Sequence, residues 1–284
     1  MSIAAAITRL NSRLSSLELV HSPHPSWPLP PSHPPARPLA IAVLDSSFNP
    51  PTLAHLALAN ALRPRALANY DARLLLLSVL NADKTFKPGD ATYVERVEMM
   101  HLLSHDITRT PDNVAVAIIN EPTFVGKSKV LLSFLRQRLQ VVANSDNNGY
   151  CPSVQLSFIL GFDTLERLVA PRYYGSAEQM LLVLRRFFSP APEGDDSYVV
   201  CARRGDTSLK IETERSKSDP SDLQHAREFL GSDRIVMIDI GAEESMVSST
   251  AVRSAIGSGD PSWKTYVPNS IAQYIIQNRL YTKA

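Results

Sequence analysis

Thr52 and His55 follow an apolar run at residues 39–44 and open a series of leucines with helical spacing. Three positions apart at a helix start, their side chains share one face of the first turn. That turn presents unpaired backbone N–H groups and a partial positive charge, which favour a bound anion. The first segment (residues 45–55) therefore predicts a phosphate-binding loop, the alternative being a capped helix start with a surface histidine.

A second segment (residues 248–253) has the same arrangement near the other end of the chain. Ser248, Ser249 and Thr250 follow the apolar run 235–240, and Arg253 comes one helical turn later. Hydroxyl residues before a helix are common N-caps, so this segment alone has an ordinary explanation. Because doubly wound sheets bind ligands at the carboxyl ends of their strands, we expect the two segments to converge there.

The elements that must position both segments are apolar strands alternating with helices after Pro38. Strands are expected at 39–45, 74–79, 114–119, 154–160, 198–202 and 235–240, and helices near 53–68, 92–105, 127–140, 176–188 and 221–230. Residues 144–150 and 207–219 are polar and predict loops. Apolar strands separated by helices indicate a parallel sheet covered on both faces. The sequence predicts an α/β fold with a doubly wound, Rossmann-like parallel sheet in one domain, residues 39–284.

Residues 1–38 differ in composition from this domain. Apolar residues at helical spacing predict a short amphipathic helix packed on the domain, although a mitochondrial presequence is the alternative. Only Arg9 and Arg13 support targeting, so the packed helix is favoured. Residues 22–38 hold eight of the 21 prolines. They predict an extended linker that isolates the helix from the sheet.

Composition excludes several functions. The net charge is +1, with basic and acidic residues evenly mixed, so no stripe for a nucleic acid is expected. No apolar run is long enough for a transmembrane helix, so no membrane partner is expected. Cys151 and Cys201 are isolated, which favours a reducing compartment. The expected location is the cytoplasm, and the nucleus is compatible with the same pattern. His21, His24 and His33 have no further ligand nearby, so no metal site is predicted.

Three weaker patterns are set aside. Residues 126–128, Gly-Lys-Ser, end like a phosphate-binding P-loop, but Glu121 stands where its first glycine belongs. His101 and His105 lack the glutamate of H-E-x-x-H and predict a helix surface. No G-x-S-x-G elbow is present, so no covalent nucleophile is predicted.

Four segments, taken in order, match one set of family motifs. D-S-S-F-N-P-P-T-L-A-H at 45–55, L-G-F-D-T-L-E at 160–166, S-S-T-A-V-R at 248–253 and the closing stretch 266–281 carry the match. They resemble (G/S)-S-F-N-P-x-T-x-x-H, G-A-D-x-L-E, I-S-S-T-x-x-R and the terminal Y-x-V-P with its helix. The chain resembles the nicotinamide mononucleotide adenylyltransferases of the H-x-G-H nucleotidyltransferase superfamily, over roughly residues 39–284.

Two positions depart from that family. Ser46 stands where a glycine is usual and adds a Cβ near the expected phosphate. The family's Trp-Glu pair is absent near residues 120–124, where Glu121 and Phe124 are the nearest substitutes. Contacts to the acceptor nucleotide are therefore not assigned from that region. These departures resemble the divergent fungal filamentation-promoter type.

The resemblance implies attack by the 5′-phosphate of nicotinamide mononucleotide on the α-phosphorus of ATP, giving NAD and pyrophosphate. The nucleophile is already an anion, so the task is to bring two polyanions together and spread the transition-state charge. His55 and Arg253 would be catalytic, and Mg²⁺ would arrive bound to ATP. The implied ATP contacts are Ser46, Ser47, Phe48, Thr52, His55, Ser248, Ser249, Thr250 and Arg253. Lys84 and Lys87 are candidates for one further cation, or belong to a solvated loop.

The resemblance also implies contacts on the acceptor side. Gly161 and Asp163 would face ribose or the nicotinamide-side substrate, Asp163 being otherwise a helix N-cap. Tyr173 or Tyr174 would stack on the pyridine ring or pack, and Arg203 would lie near the adenylate or form a surface salt bridge.

Two other functions remain open. A related nucleotidyltransferase with another acceptor usually carries His where Thr52 stands. An ATP-binding or ATP-hydrolysing regulator with a decayed acceptor site would fit Ser46 and the lost Trp-Glu pair, whereas His55 and Arg253 oppose full decay. The sequence does not decide between nicotinamide and nicotinate forms of the acceptor, or fix the oligomeric state.

Overall fold

A computed structural model describes residues 2–30, 37–63, 69–80, 89–110, 112–145, 151–203, 228–229 and 233–282. In this part of the chain the strands are β1 (Leu17–His21), β2 (Leu39–Asp45), β3 (Ala72–Ser78), β4 (Val114–Ile119), β5 (Val154–Gly161), β6 (Tyr198–Ala202) and β7 (Ile235–Ile238). The α-helices are α1 (Ile3–Asn11), α2 (Leu53–Ala59), α3 (Tyr93–Asp106), α4 (Phe124–Ser145), α5 (Phe162–Leu168), α6 (Ala177–Phe188), α7 (Ala242–Met246), α8 (Ser249–Ser258) and α9 (Asn269–Gln277). Short 3₁₀ helices occupy Pro171–Tyr173 and Pro261–Tyr266.

The strands form one seven-stranded sheet in the order β1-β4-β3-β2-β5-β6-β7. All neighbouring pairs from β4 to β7 are parallel. From β2 the chain runs outward through β3 and β4, then returns to β5 on the other side and continues through β6 and β7. The order therefore reverses between β2 and β5, and ligands bind at such a switch point. The predicted α/β, doubly wound sheet is confirmed.

Both faces of the sheet are covered because successive residues of a strand point to opposite faces. On β2, Ile41 and Val43 belong to the core shared with α4 and α6. Ala40, Ala42 and Leu44 of the same strand belong to the core shared with α1, α2 and α3. A third cluster packs α8 and α9 against Met99 of α3. This continuous burial explains why the strands are apolar without alternation.

The N-terminal segment is part of the sheet, contrary to the prediction of an isolating linker. β1 pairs antiparallel with β4, with Leu17 opposite Ile119. Trp27, within the proline-rich stretch, is fully buried. Helix α1 forms as predicted but ends at Asn11. The strand β1 ends just before the proline-rich stretch, and the composition of that stretch concealed it. Turns rich in proline can still bury a large aromatic side chain.

Some predicted bounds shift. The helix expected over 53–68 ends at Ala59. Helix α4 begins at Phe124 and continues to Ser145, into the loop expected over 144–150. Nearly all of the predicted helix 221–230, the loop 207–219, and Lys84 and Lys87 lie outside the described residues. Within the described residues, no helix is long and apolar enough to cross a membrane.

Candidate active site

The first segment lies at the carboxyl end of β2, at the switch point. Phe48 has φ of 44°, a left-handed conformation that is uncommon for a residue with a side chain. Its ring is fully buried, with its centroid 5.4 Å from that of His55. The buried ring anchors the turn, which leads directly into α2.

Hydrogen bonds hold both nitrogens of the His55 ring. The backbone N–H of Thr52 donates to His55 Nδ1 over 3.1 Å, and the Ser46 hydroxyl lies 2.9 Å from Nε2. A backbone N–H can only donate, so Nδ1 is the acceptor and the proton of the neutral ring is on Nε2. His55 therefore presents an N–H donor on the side of Ser46.

Thr52 lies behind His55. Its side chain is fully buried, and its hydroxyl is 2.8 Å from His55 Nδ1. The motif predicts a phosphate contact for Thr52, whereas the structure places its hydroxyl against the imidazole. Thr52 therefore orients the histidine and supports the tautomer that donates from Nε2.

The second segment meets the first, as expected from the sheet edge. The Ser249 hydroxyl donates to the carbonyl of Pro50 over 2.7 Å. Arg253 Nη1 donates to the carbonyl of Asn49 over 2.5 Å. The Ser248 hydroxyl caps α8 by accepting from the backbone of Ala251 over 3.1 Å. Two segments about two hundred positions apart thus form one surface.

Asp90 also belongs to this surface, although no sequence pattern predicts it there. Asn49 Nδ2 donates to Asp90 Oδ1 over 2.7 Å. Arg96 Nη2 lies 3.7 Å from Asp90 Oδ2, and Arg253 Nε lies 3.7 Å from Oδ1. The Tyr281 hydroxyl donates to Asn49 Oδ1 over 2.9 Å. No sequence motif marks Asp90 or Arg96, and only the packing of the fold brings them to this surface.

Burial and charge set the ionisation of these groups. Burial lowers the pKa of Arg96, and the Asp90 carboxylate opposes that shift. Burial raises the pKa of the Tyr281 hydroxyl above its usual value, with the two arginines acting in the opposite direction. The Asp90 carboxylate thus lies between two arginine side chains, and the raised pKa keeps the Tyr281 hydroxyl protonated as the donor to Asn49.

Lys127, from the segment that is set aside as an incomplete P-loop, brings a further cation to the start of the first segment. Its Nζ lies 2.5 Å from Asp45 Oδ2 at the end of β2, and both side chains are at most 9% exposed. The segment 126–128 is not a P-loop, since α4 begins at Phe124 and Lys127 already lies within that helix. The helix nevertheless delivers this lysine to the start of the first segment, which only tertiary packing reveals.

The β5 end (residues 161–174) lies beside the first segment because β5 pairs with β2. A Cβ at Gly161 would meet nothing within 4 Å, so open space lies over this position. Gly161 is the N-cap of α5 and Asp163 is exposed in its first turn, so Asp163 is not the N-cap. A ligand beside the first segment would face this helix start.

Tyr174 and Arg203 both have partners within the protein. The Tyr174 hydroxyl donates to the carbonyl of Leu168 over 2.7 Å, and its ring packs against the core. Burial raises the pKa of Tyr174. Arg203 Nη1 lies 3.3 Å from Asp239 Oδ2 in an exposed pair. The structure thus shows packing for Tyr174 and a surface salt bridge for Arg203.

The substitutes for the absent Trp-Glu pair are engaged locally. Glu121 accepts from the backbone of Thr123 over 2.9 Å and from its hydroxyl over 2.7 Å. Phe124 packs edge-on against Phe158, with ring centroids 5.7 Å apart. Both side chains thus organise the start of α4.

A histidine cluster lies away from this surface. The rings of His21 and His101 have centroids 4.3 Å apart, and those of His101 and His105 are 4.7 Å apart. Burial and the neighbouring imidazoles lower the pKa of His21 and of His101. Across the described ranges, no three His, Cys, Asp or Glu side chains are placed to hold a metal ion.

The switch point and the two joined segments define a doubly wound α/β protein with a candidate anion-binding surface at the carboxyl edge of its sheet. No family model matches the chain. A Schizosaccharomyces pombe protein, described provisionally as a nicotinamide mononucleotide adenylyltransferase, is 31% identical, and the alignment covers 83% of each chain. The chain belongs to the nicotinamide mononucleotide adenylyltransferase family.

Two solved structures of a Plasmodium falciparum nicotinic acid mononucleotide adenylyltransferase are also similar. The complex with APC has a TM-score of 0.44 at 14% identity, covering 85% of this chain and 96% of the other. The complex with NaAD has a TM-score of 0.44 at 16% identity, covering 85% and 97%.

Proposed function

We propose that the protein joins ATP and nicotinamide mononucleotide to give NAD and pyrophosphate. The observation that carries this proposal is the junction of the two segments, where Arg253 bonds the Asn49 carbonyl and Ser249 bonds the Pro50 carbonyl. It brings a guanidinium to the same turn that presents the His55 N–H donor, at the switch point of the sheet. Family membership supports the same reaction class.

The tautomer of His55 suits a donor and not a base. Its Nδ1 accepts from Thr52 N–H, so Nε2 carries a proton and cannot take another. The attacking mononucleotide phosphate is already an anion and needs no base, whereas charge grows on the ATP phosphate oxygens. A fixed N–H donor at that place stabilises the transition state without reorganising. In our proposal, the His55 Nε2–H donates to a phosphate oxygen of ATP. That oxygen either replaces the Ser46 hydroxyl as the acceptor or accepts the hydrogen bond together with it.

Arg253 provides the matching cation for the leaving pyrophosphate. The amides of Ser47 and Phe48 and the hydroxyl-bearing second segment would line the same phosphates. Ser46 would lie within reach of these oxygens, since its hydroxyl already contacts His55. We assign Ser248, Ser249 and Thr250 to the frame that holds Arg253, because Ser248 caps α8 and Thr250 Oγ1 lies 3.4 Å from Arg253 Nη2.

The acceptor mononucleotide would lie over the β5 end. Asp163 is exposed in the first turn of α5, where its carboxylate can accept from sugar hydroxyls. Gly161 leaves open space beside it. In-line attack requires the acceptor phosphate opposite the leaving pyrophosphate, and β2 and β5 are neighbours, so the two substrates meet at the first segment.

Mg²⁺ would enter with ATP. This ion keeps several of its waters and is commonly held through substrate phosphates, whose charge it neutralises. The hydroxyls of the two segments suit water-mediated contact with such an ion. Arg203 would reach the adenylate only by leaving Asp239, and Lys84 or Lys87 would add a further phosphate contact.

The experiment is direct. The purified protein is incubated with ATP, Mg²⁺ and nicotinamide mononucleotide, and nucleotides are separated by liquid chromatography with mass detection. We expect NAD and pyrophosphate in equal amounts, with nicotinate mononucleotide tested in parallel. Arg253→Ala should abolish most product, whereas Arg185→Ala, which breaks an exposed pair with Glu228, should not. Release of ADP and phosphate at a rate independent of the acceptor would instead favour the regulatory ATP-hydrolysing alternative.

A further inference from the structure

Asp90 joins both arginines of the site through one carboxylate. Its Oδ1 accepts from Asn49 Nδ2 and lies 3.7 Å from Arg253 Nε, and its Oδ2 lies 3.7 Å from Arg96 Nη2. The Asp90 side chain is 12% exposed, between a 9% exposed Arg96 and a 27% exposed Arg253. The carboxylate is therefore placed within the site and not at its rim.

A carboxylate in this position opposes the binding of a polyanion. Coulomb repulsion between Asp90 and a triphosphate weakens ground-state binding, and partial burial reduces the screening by water. A carboxylate that only balanced charge could sit anywhere near the two arginines. The Asp90 carboxylate instead lies at the Nε edge of Arg253, and the Asn49 carbonyl accepts from Nη1 of the same guanidinium.

We propose that Asp90 is a positioning residue that fixes the orientation of the Arg253 guanidinium toward the leaving pyrophosphate. This inference rests on the proposed function. Asp90 Oδ1 forms an ion pair with Nε over 3.7 Å, the Asn49 carbonyl accepts a hydrogen bond from Nη1, and Nη2 donates to Thr250 Oγ1 over 3.4 Å. Each terminal nitrogen carries a second N–H, and these remain for a bidentate contact with phosphate. The hydrogen bond from Asn49 Nδ2 to Asp90 Oδ1 fixes the orientation of the carboxylate, and Arg96 pairs with its other oxygen over 3.7 Å.

The inference predicts opposite effects on binding and turnover for Asp90→Asn. This variant keeps the shape of the side chain and removes its charge. ATP affinity should be unchanged or up to about threefold tighter, because a repulsive charge is gone. Turnover should fall about tenfold, because Arg253 no longer has one fixed orientation when charge develops. Weaker ATP binding together with a lower melting temperature would show a merely structural role and overturn the inference.

A double-mutant cycle tests whether Asp90 acts through Arg253. If it does, Asp90→Asn should cost about tenfold in the native background and less than about twofold in Arg253→Ala, since contacting residues are not additive. If the factors by which the two single substitutions lower turnover simply multiply in the double variant, the inference is overturned. Glu228→Gln is the matched control, because it removes one carboxylate from an exposed arginine pair elsewhere and should leave turnover unchanged.

A spectroscopic readout separates this inference from the proposed reaction. In the full-length protein, the Arg253 Nε–H signal, assigned through Arg253→Lys, should be a single sharp signal and should broaden in Asp90→Asn, where the guanidinium has more than one orientation. If the native protein makes no dinucleotide while this difference is present, the proposed function fails and the positioning stands. If dinucleotide forms and Asp90→Asn matches the native protein in turnover and in the Nε–H signal, the positioning fails and the function stands.

Discussion

The first segment and the β5 end lie side by side at the switch point but are built differently. In the first segment, side chains bond to one another and to the second segment, so His55, Asn49 and Arg253 have fixed partners. At the β5 end, Gly161 faces open space and Tyr174 turns into the core. One half of the site is held in place before any ligand arrives, and the other half is open.

This difference follows from the chemistry that each half would perform. Stabilising transition-state charge requires donors that do not reorganise during the reaction, and a bonded network supplies them. Binding a sugar and a base requires space and a few polar groups, which a glycine and an exposed carboxylate provide. Substitutions in the first segment should therefore lower turnover, and those at the β5 end should change acceptor affinity or nothing.

The largest effect is expected for His55→Ala. The variant removes a fixed N–H donor, so turnover should fall about 10²-fold or more, with ATP affinity changed far less. Steady-state kinetics measures turnover and the KM for ATP, and the far-ultraviolet circular dichroism spectrum of the same preparation checks the fold. His105→Ala, an exposed histidine on α3, is the control and should keep full activity. Near-native turnover in a folded His55→Ala protein would show that the first segment is not the catalytic half.

The first segment was predictable from sequence because its geometry is local. A buried strand, a turn and a helix start place Thr52 and His55 within one turn of each other whatever surrounds them. The sheet was predictable for a similar reason, since apolar strands separated by helices permit few topologies. Arg253 followed from the same rule applied to a second strand.

Contacts that depend on packing were not predictable in the same way. Asp90 and Lys127 reach the site from the segment before α3 and from α4, and neither lies in a pattern that specifies its partner. The N-terminal strand was hidden by the prolines after it, although they surround a buried Trp27. Tyr174 was assigned from the family's order of residues, whereas its direction depends on the turn that precedes α6.

Thr52→Val should produce the next largest effect. The substitution keeps the size of the side chain and the backbone N–H but removes the hydroxyl beside His55 Nδ1. Loss of this orienting contact should lower turnover about tenfold, since small misplacements of a catalytic group are costly. Thr52→Ser retains the hydroxyl and should keep most of the activity. Native turnover in Thr52→Val together with a loss in Thr52→Ser would point to packing of the methyl group and not to the orientation of the imidazole.

Asp163→Asn tests the open half of the site. A hydrogen bond to a charged group contributes about 1.5–3 kcal/mol, so replacing the carboxylate by an amide should raise the acceptor KM about tenfold. The KM for ATP should stay constant, because Asp163 lies on α5 and not among the contacts of the two joined segments. Initial rates with each substrate varied in turn measure both constants. A rise in the KM for ATP alone would move Asp163 to the other half of the site.

Tyr174→Phe should give the smallest effect and separates packing from stacking. The variant keeps the ring and removes the hydroxyl that donates to the Leu168 carbonyl over 2.7 Å. An intramolecular hydrogen bond contributes about 0.5–1.5 kcal/mol, so the free energy of unfolding should fall by about 1 kcal/mol. The acceptor KM should change less than about twofold, because the ring, which packs against the core, is retained. Denaturant unfolding and acceptor kinetics on the same preparation check both. An unchanged stability with a clearly raised acceptor KM would mean that Tyr174 turns outward to meet the substrate, and the β5 end would then reorganise on binding where the first segment does not.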